Sequence, residues 1–387
     1  MVAGDREFQT VIIGAGVAGL EAALTLRDLA PEYMQITLVE PREEFHFRPM
    51  AVSEPFSGVP MTAYSIAEIL VGGNITIVAD SFRRLDPERR VLHTEGGQKL
   101  TYDALLLSLG ARSHPRYRDV VTVDATRIGD QLTGFVSELD EGRLRSVAFV
   151  VPSLPIWSLP AYELALMTAA RAAQHGQRLD VALVTPENVP LAGLGVGPSK
   201  AVSGLLKDGG VTMITSARPQ VRDPRTIELH PSCRALSVDR IVALPELFAP
   251  SLPGVPANAD RGFISIDAYG AVRGLRRVYA AGDITDTAVK NGGLAAAQGV
   301  AAAEAMAMLA GAEVTRSVPT PLLGVMLVGG PRTLYISSRM SGVHGVEVVA
   351  SEEALWEPSG KPHAAHLGAR LSAIDAARES AVHAVAH

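Results

Sequence analysis

Apolar positions change period along the chain, and the changes mark out its elements. Residues 10–13 (Thr-Val-Ile-Ile) form a β-branched and apolar run that predicts a buried strand. Residues 19–30 place their apolar positions on one helical face, and residues 35–39 return to an apolar run ending at Glu40. Strand, helix and strand in that order predict a βαβ unit. "FHFRPMAVSEPFSG" interrupts both periods with prolines and predicts irregular chain, followed by a helix near residues 64–70. Short strands are expected at 75–78 and around 90–94, with the glycine pair before Gln98 as a hairpin turn. "YDALLLSLGARSHP" reads as a buried strand closed by a glycine turn and a proline stop.

A second αβ block follows. In it "SVAFVV" and "LDVALVTPE" predict strands, and "YELALMTAARAAQHG" a helix closed by Gly176. "SLPGVPANADRG" reads as a linker, "RRVYAAGDITD" as a strand entering a glycine turn, and "GGLAAAQGVAAAEAMAMLAG" as a long alanine-rich helix. The fold class predicted is α/β, with two Rossmann-like αβ domains and a small C-terminal region. Residues 1–117 and 257–316 are expected to form a discontinuous first domain, 118–256 the second, and 317–387 a C-terminal region ending in an amphipathic alanine-rich tail.

Composition narrows the function. A length of 387 residues suffices for two or three domains with proper cores. A net charge of −6 without a basic run argues against nucleic acid, whose phosphates need a basic surface. The polar start "MVAGDREFQT" does not read as a signal peptide. No stretch approaches the roughly 18 to 20 uninterrupted apolar residues of a spanning helix. "PLLGVMLVGG" reads better as a strand or hairpin. A cytoplasmic location is the expectation, with peripheral membrane contact and a homodimer left open. The single cysteine, Cys233, excludes an internal disulfide and a redox-active cysteine pair, and its place before an apolar run suggests a structural thiol.

The candidate chemistry starts at Gly14-x-Gly16-x-x-Gly19, which follows a strand and opens a helix. Gly14 suits the tight turn, Gly16 lets a pyrophosphate approach the backbone, and Gly19 lets helix and strand pack closely. The helix N-terminus offers free N–H groups and partial positive charge. Glu40, closing the second strand, is placed to accept ribose hydroxyls. Ala15 and Ala18 within the loop, Pro41 beside Glu40, and Val78 are further candidates for cofactor contact.

Far along the chain, "VYAAGDITD" ends a strand with Gly282-Asp283, and a helix follows Lys290. Together with the glycine loop this resembles the two-dinucleotide-binding flavoproteins of the pyridine nucleotide-disulfide oxidoreductase superfamily. The resemblance implies FAD, with its ribityl chain and pyrophosphate on the Gly-Asp turn. "LLLSLGA" is similar to the crossover strand of that group and brings in Gly110. Lys290, Gly293 and Leu294 would then lie near the ring, where Lys290 and the helix end favour negative charge on a reduced flavin. Pro49 is the candidate for the ring's other face, with Arg48 and His46 as positioning or packing residues.

Where the second domain of such proteins repeats a glycine fingerprint, this chain reads "VVPSLPIWSLPAYELALM". Proline lacks an N–H and fixes φ, and Trp157 would fill the space a pyrophosphate needs. The following "TPE" offers no acid at its first position, so a conventional NAD(P)H site is not expected. The proline turn and "VKNGGLAAAQGVAAAEA" resemble the sulfide:quinone oxidoreductase branch, which stands beside type II NADH dehydrogenases. That branch places a catalytic cysteine in this loop; Trp157 stands near its position, so sulfide oxidation through a cysteine persulfide is excluded.

The reading is a flavin-dependent oxidoreductase passing electrons between a small-molecule donor and a quinone-like or other small acceptor. Pro152, Trp157 and Tyr162 would wall the substrate cavity, and Lys290 and Glu163 are the acid–base candidates. Two alternatives stand beside it: an NAD(P)H-dependent flavin reductase with an unconventional nicotinamide site, and a non-catalytic flavin-holding interaction protein. The pair His363 and His366 has a metal-ligand spacing, but no supporting carboxylate or cysteine, and a surface helix is the better reading.

Overall fold

A computed structural model describes residues 7–59, 61–72, 74–154, 157–316, 323–329, 332–341, 345–355 and 364–385. Two five-stranded parallel sheets organise it. In the first, the spatial order is Val278–Ala280, Ala104–Leu107, Phe8–Ile13, Met34–Val39 and Ile75–Val78. Every neighbouring pair is parallel, and Val11, Ile12, Ile13 and Leu105 to Leu107 are fully buried, as expected for strands covered on both faces. The edge strand Val278–Ala280 joins from far along the chain, so the first sheet is completed only after the second has been built.

The second sheet runs Val121–Thr122, Arg240–Ala243, Ser146–Val150, Asp180–Val184 and Val211–Ile214, again all parallel. The chain passes between the sheets twice, and Arg112–His114 pairs antiparallel with Glu246–Phe248 at the crossing. An antiparallel meander, Arg218–Asp223, Thr226–His230 and Arg234–Ser237, covers one side of the second sheet with Ile227 and Leu229.

The fingerprint helix Val17–Leu29 packs along the alanine-rich helix Gly292–Ala310. A Cβ on Gly299 would meet the Ala18 carbonyl oxygen at 2.5 Å, so only glycine permits this crossing. The alanine-rich helix is long and apolar enough to cross a membrane by length and composition, with mean hydropathy 1.3. This departs from the expectation of no such segment, because alanine raises hydropathy without bulk. Half of its span is buried against the protein, and that packing accounts for its apolar surface.

The C-terminal region adds the antiparallel strands Leu323–Leu327, Thr333–Ser341 and Gly345–Ser351 and the helix Ala365–Val385. Buried carboxylates tie it to both halves. Glu21 of the fingerprint helix accepts the N–H groups of His366 (3.1 Å) and Leu367 (2.7 Å), and Glu163 accepts that of Leu327 (2.8 Å). The two Glu21 contacts satisfy donors at the start of the C-terminal helix, whose first N–H groups have no partners within the helix.

One local expectation changes. Cys233 is exposed, in the turn after His230 and with φ 54°, rather than packed at the start of a strand. The next strand begins only after it, at Arg234–Ser237, and is itself largely exposed. The segment expected as a linker is mostly exposed and forms no helix or strand, and it meets the first block at Leu85: the Leu85 N–H donates to the Pro253 carbonyl, and a Cβ on Gly254 would lie 2.1 Å from the Leu85 carbonyl oxygen.

Candidate functional site

A cleft of about 830 Å³ opens along the carboxyl ends of the first sheet and continues to the second. This is the edge where open α/β sheets bind ligands. Gly14, Ala15, Gly16 and Ala18 line it, with Glu40, Pro41, Gly110, Gly282, Asp283, Lys290 and Gly293.

The three fingerprint glycines serve different demands. Gly14 has φ +97°, and a Cβ there would lie 2.5 Å from the Ser108 carbonyl oxygen. On Gly19 a Cβ would lie 1.9 Å from the Gly14 carbonyl oxygen. Protein packing alone requires these two. At Gly16 the nearest protein atom to a Cβ is 3.9 Å away, so no protein neighbour explains the glycine. The space it leaves lies at a helix N-terminus facing the cleft, where a phosphate group fits. Ser108, unmarked in the sequence reading, fixes the turn: its hydroxyl donates to the Ile13 carbonyl (2.8 Å) and lies 2.9 Å from that of Gly14.

Glu40 is 3% exposed and accepts from the Ala15 N–H (2.8 Å) and from the Arg42 guanidinium (2.7 Å). Burial pushes its carboxyl up, but Arg42 and the Ala15 N–H outweigh that and hold it below the usual range. The Arg42 N–H and its second guanidinium nitrogen also donate, so the roughly four acceptor positions of the carboxylate are filled, and a ribose hydroxyl would take the place of the half-exposed Arg42 guanidinium. Val78 is not in the lining; its carbonyl accepts the Glu40 N–H, and Asp80, Ser81 and Phe82 face the cleft at that end. Gly19 packs behind the loop. The backbone of Arg48 and Pro49 opens the 3-10 turn Arg48–Ser53, while their side chains lie outside the described residues.

A second helix N-terminus enters opposite. Asn291 caps the alanine-rich helix, its Oδ1 accepting the Leu294 N–H at 2.6 Å, so Leu294 supports the cap without lining the cleft. The Asn291 Nδ2 is buried with no partner in the protein, a donor left for something else. Gln298 Oε1 accepts the Gly282 N–H (2.7 Å) and sets the Gly-Asp turn. Lys290 is 4% exposed; its Nζ donates to the carbonyls of Asp283 and Thr285 and sits 3.9 Å from the Phe263 ring centroid. Burial lowers its pKa to about 8, against the pull of Asp283 and Asp286. The ammonium thus secures the turn, and its charge acts on the cleft from behind the backbone.

The second loop is built differently. Trp157, Leu159 and Pro160 form a wall of the cleft, joined by Ile128, Leu244 and Val325. Pro152 is buried and does not line it. Tyr162 is also off the cleft: it is 0% exposed, and its hydroxyl donates to Glu187 Oε2 (2.8 Å) while accepting the Leu191 N–H. Its place on the helix Leu159–Gln174 points the ring into the second block's core. Burial and the Glu187 carboxylate hold the phenol firmly protonated. Thr185 and the Ala192 N–H also donate to Glu187, so this acid is engaged within the protein. Glu163 reaches the cleft wall, and the Leu327 N–H holds its carboxylate there. His363 lies outside the described residues, and His366 faces Glu21.

The two parallel sheets and the glycine-edged cleft define the fold of the two-dinucleotide-binding-domain proteins. The family model described as pyridine nucleotide-disulphide oxidoreductase matches residues 8–143, the part of the chain that carries the glycine fingerprint. The chain is similar to "Sulfide-quinone reductase" of Aquifex aeolicus (strain VF5), 26% identical over 205 residues. That match covers 51% of this chain and 47% of the relative, about half of each. The crystal structure of the sulfide:quinone oxidoreductase from the hyperthermophilic bacterium Aquifex aeolicus superposes with TM-score 0.77 at 18% identity, covering 89% of this chain and 87% of that one. A NAD-dependent persulfide reductase from A. fulgidus gives 0.59 at 17%, covering 86% and 64%. The family is FAD-binding. The only cysteine here, Cys233, is exposed and does not line the cleft.

Proposed function

We propose that the chain binds FAD along this cleft and acts as an oxidoreductase without redox-active cysteines. It passes electrons between a small-molecule donor and a quinone-like or other small apolar acceptor. The observation that carries the reading is the continuity of one cleft from the open Gly16 position, past Gly282-Asp283, to the apolar wall at Trp157. When bound, FAD supplies the one- and two-electron chemistry that these side chains lack.

The chain's own residues position and insulate. Backbone N–H groups at two helix N-termini neutralise negative charge at either end of the cleft. Asn291 Nδ2 donates to an acceptor on what the cleft holds. Lys290 keeps its proton at neutral pH and fixes the Asp283–Thr285 backbone, so positive charge stays close without exposure to solvent. Trp157, Leu159 and Pro160 exclude water and present a flat apolar surface suited to an uncharged ring. Glu163 lines the same wall and is anchored through the Leu327 N–H, which leaves it the acid–base candidate on this side of the cleft.

Anaerobic mixing of the FAD-loaded protein with candidate reductants tests the proposal. The expected result is stoichiometric FAD, slow or no bleaching by NADH and NADPH, fast reduction by a small non-nicotinamide donor, and reoxidation by a quinone. A polypeptide that takes up no FAD ends the reading. Rapid bleaching by NADH replaces it with a nicotinamide-dependent flavin reductase.

A further inference from the structure

We propose that the outer meander of the second block carries a site for a zinc-class divalent transition metal, ligated by Glu228, His230 and Cys233. Glu228 and His230 stand two residues apart on the strand Thr226–His230, so they share one face, while Ile227 and Leu229 turn into the core. Cys233 follows in the turn that leads to the next strand. One potential ligand atom from each of the three lies within 4.8 Å of the others, and Glu228 Oε1 is 3.1 Å from His230 Nε2. Bonds of about 2.0–2.3 Å in a tetrahedral site put ligand atoms roughly 3.3–3.8 Å apart. Side-chain adjustment of about an ångström closes the set.

The surroundings support the ligands. Arg222 on the adjacent strand donates to Glu228 Oε2 (2.6 Å), which leaves Oε1 on the histidine side. A ligating carboxylate held on its other oxygen is the usual outer support of a metal site. Gln220 Oε1, 3.2 Å from His230 Nε2, adds a neutral oxygen at the same place. A thiolate with an imidazole selects zinc over magnesium or calcium, and three protein ligands leave the fourth position to water. On binding, Cys233 releases its thiol proton to solvent and His230 coordinates through its unprotonated Nε2, so affinity falls at low pH. None of the three residues lines the cleft, so this site stands or falls independently of the flavin.

Because Cys233 is the only cysteine, a thiol reagent such as DTNB reads this position alone. The full chain, tag-free, reduced and freed of metal with chelator, is titrated with zinc while the rate of thiol modification is followed. Zinc is expected to slow the reaction at least tenfold, to saturate at one ion per chain and to be reversed by EDTA, while magnesium has no effect. Glu228→Ala and His230→Gln should each raise the zinc concentration for half-protection by at least about tenfold. Their thiol reactivity without zinc and their melting temperatures should match the parent. If one substitution lowers the melting temperature, the other decides. An unchanged thiol rate in saturating zinc overturns the proposal, as does protection that persists undiminished in a folded variant.

Discussion

The two strand–turn–helix units that face each other across the cleft share a topology and differ in what their turns present. The first turn ends in glycines and a helix whose N–H groups point at open space. The second ends in prolines and a tryptophan, and its helix begins at Leu159 with Pro160 among its first residues. Their acids differ as well. Glu40 lines the cleft and takes two of its four hydrogen bonds from the half-exposed Arg42 guanidinium, whereas Glu187 lies off the cleft and receives Tyr162, Thr185 and the Ala192 N–H. One unit is a cradle and the other a wall. The backbone path permits either, and the side chains at a handful of positions choose.

The largest expected effect separates packing from ligand demand within the first turn. Gly19→Ala places a Cβ 1.9 Å from a backbone oxygen that cannot move without breaking the turn. It should cost about 3 kcal/mol or more in urea unfolding of the apo-protein. Gly16→Ala meets no protein atom closer than 3.9 Å and should stay within about 1 kcal/mol of the parent. FAD affinity, followed by quenching of flavin fluorescence, should nonetheless fall at least tenfold. A Gly16→Ala protein that binds FAD like the parent removes the distinction between cradle and wall.

Lys290 gives the cradle side a pH signature. Its pKa falls from the ordinary 10.5 to about 8 because burial disfavours the ammonium. Between those values the unfolded chain binds more protons than the folded one, so this group makes stability rise as pH increases through the window. The interval bounds the gain at roughly 3 kcal/mol, and relaxation should leave about 2. Lys290→Met should flatten this rise in urea unfolding measured from pH 7.5 to 10. A variant with the parent's slope shows that the lysine is solvated and that its charge does not bear on the cleft.

The wall predicts the reverse outcome for its own acid. Tyr162→Phe strips a donor from Glu187 and an acceptor from the Leu191 N–H. It should destabilise the protein by about 1–2 kcal/mol, read from the thermal or urea midpoint. It should not make the flavin reducible by NADH, because Trp157 and the prolines remain. Reduction by NADH in this variant would show that only the occupied acid closes the second loop.

Much of the cradle is local in sequence and was readable there. Gly14, Gly16, Glu40, Gly282 and Asp283 lie in short runs whose spacing carries their geometry, and all reach the cleft. The wall is not local. Val52, Ile128, Leu244 and Val325 converge from four segments, and nothing in any one of them marks the meeting. Tyr162 sits one residue from Glu163, which faces the cleft, yet helical rotation turns it toward an acid 25 positions later. Val78 failed for a similar reason: its strand end serves Glu40 through a carbonyl while the next loop supplies the lining. Periodicity identifies which positions are buried; the partner that claims a buried polar group must be found in three dimensions.

The smallest effect compares how the two units hold the C-terminal region. On the wall side Glu163 receives a backbone N–H from Leu327, which does not titrate. On the cradle side Glu21 also faces the His366 ring at 3.3 Å, with Asp28 at 3.6 Å and Arg27 nearby. The hydrogen bond to Glu21 raises the histidine's pKa above its ordinary 6.5, against burial and with help from Asp28. A raised value means that this contribution is complete below 6.5 and is lost as pH rises through the folded-state value. Amide exchange at the start of the helix Ala365–Val385, corrected for intrinsic rate, should therefore quicken several-fold from pH 6 to 8, while Leu327 shows no such change. His366→Gln should abolish the difference. Equal pH responses at the two anchors would show that neither carboxylate distinguishes the units, and the contrast between them would then rest on the turns alone.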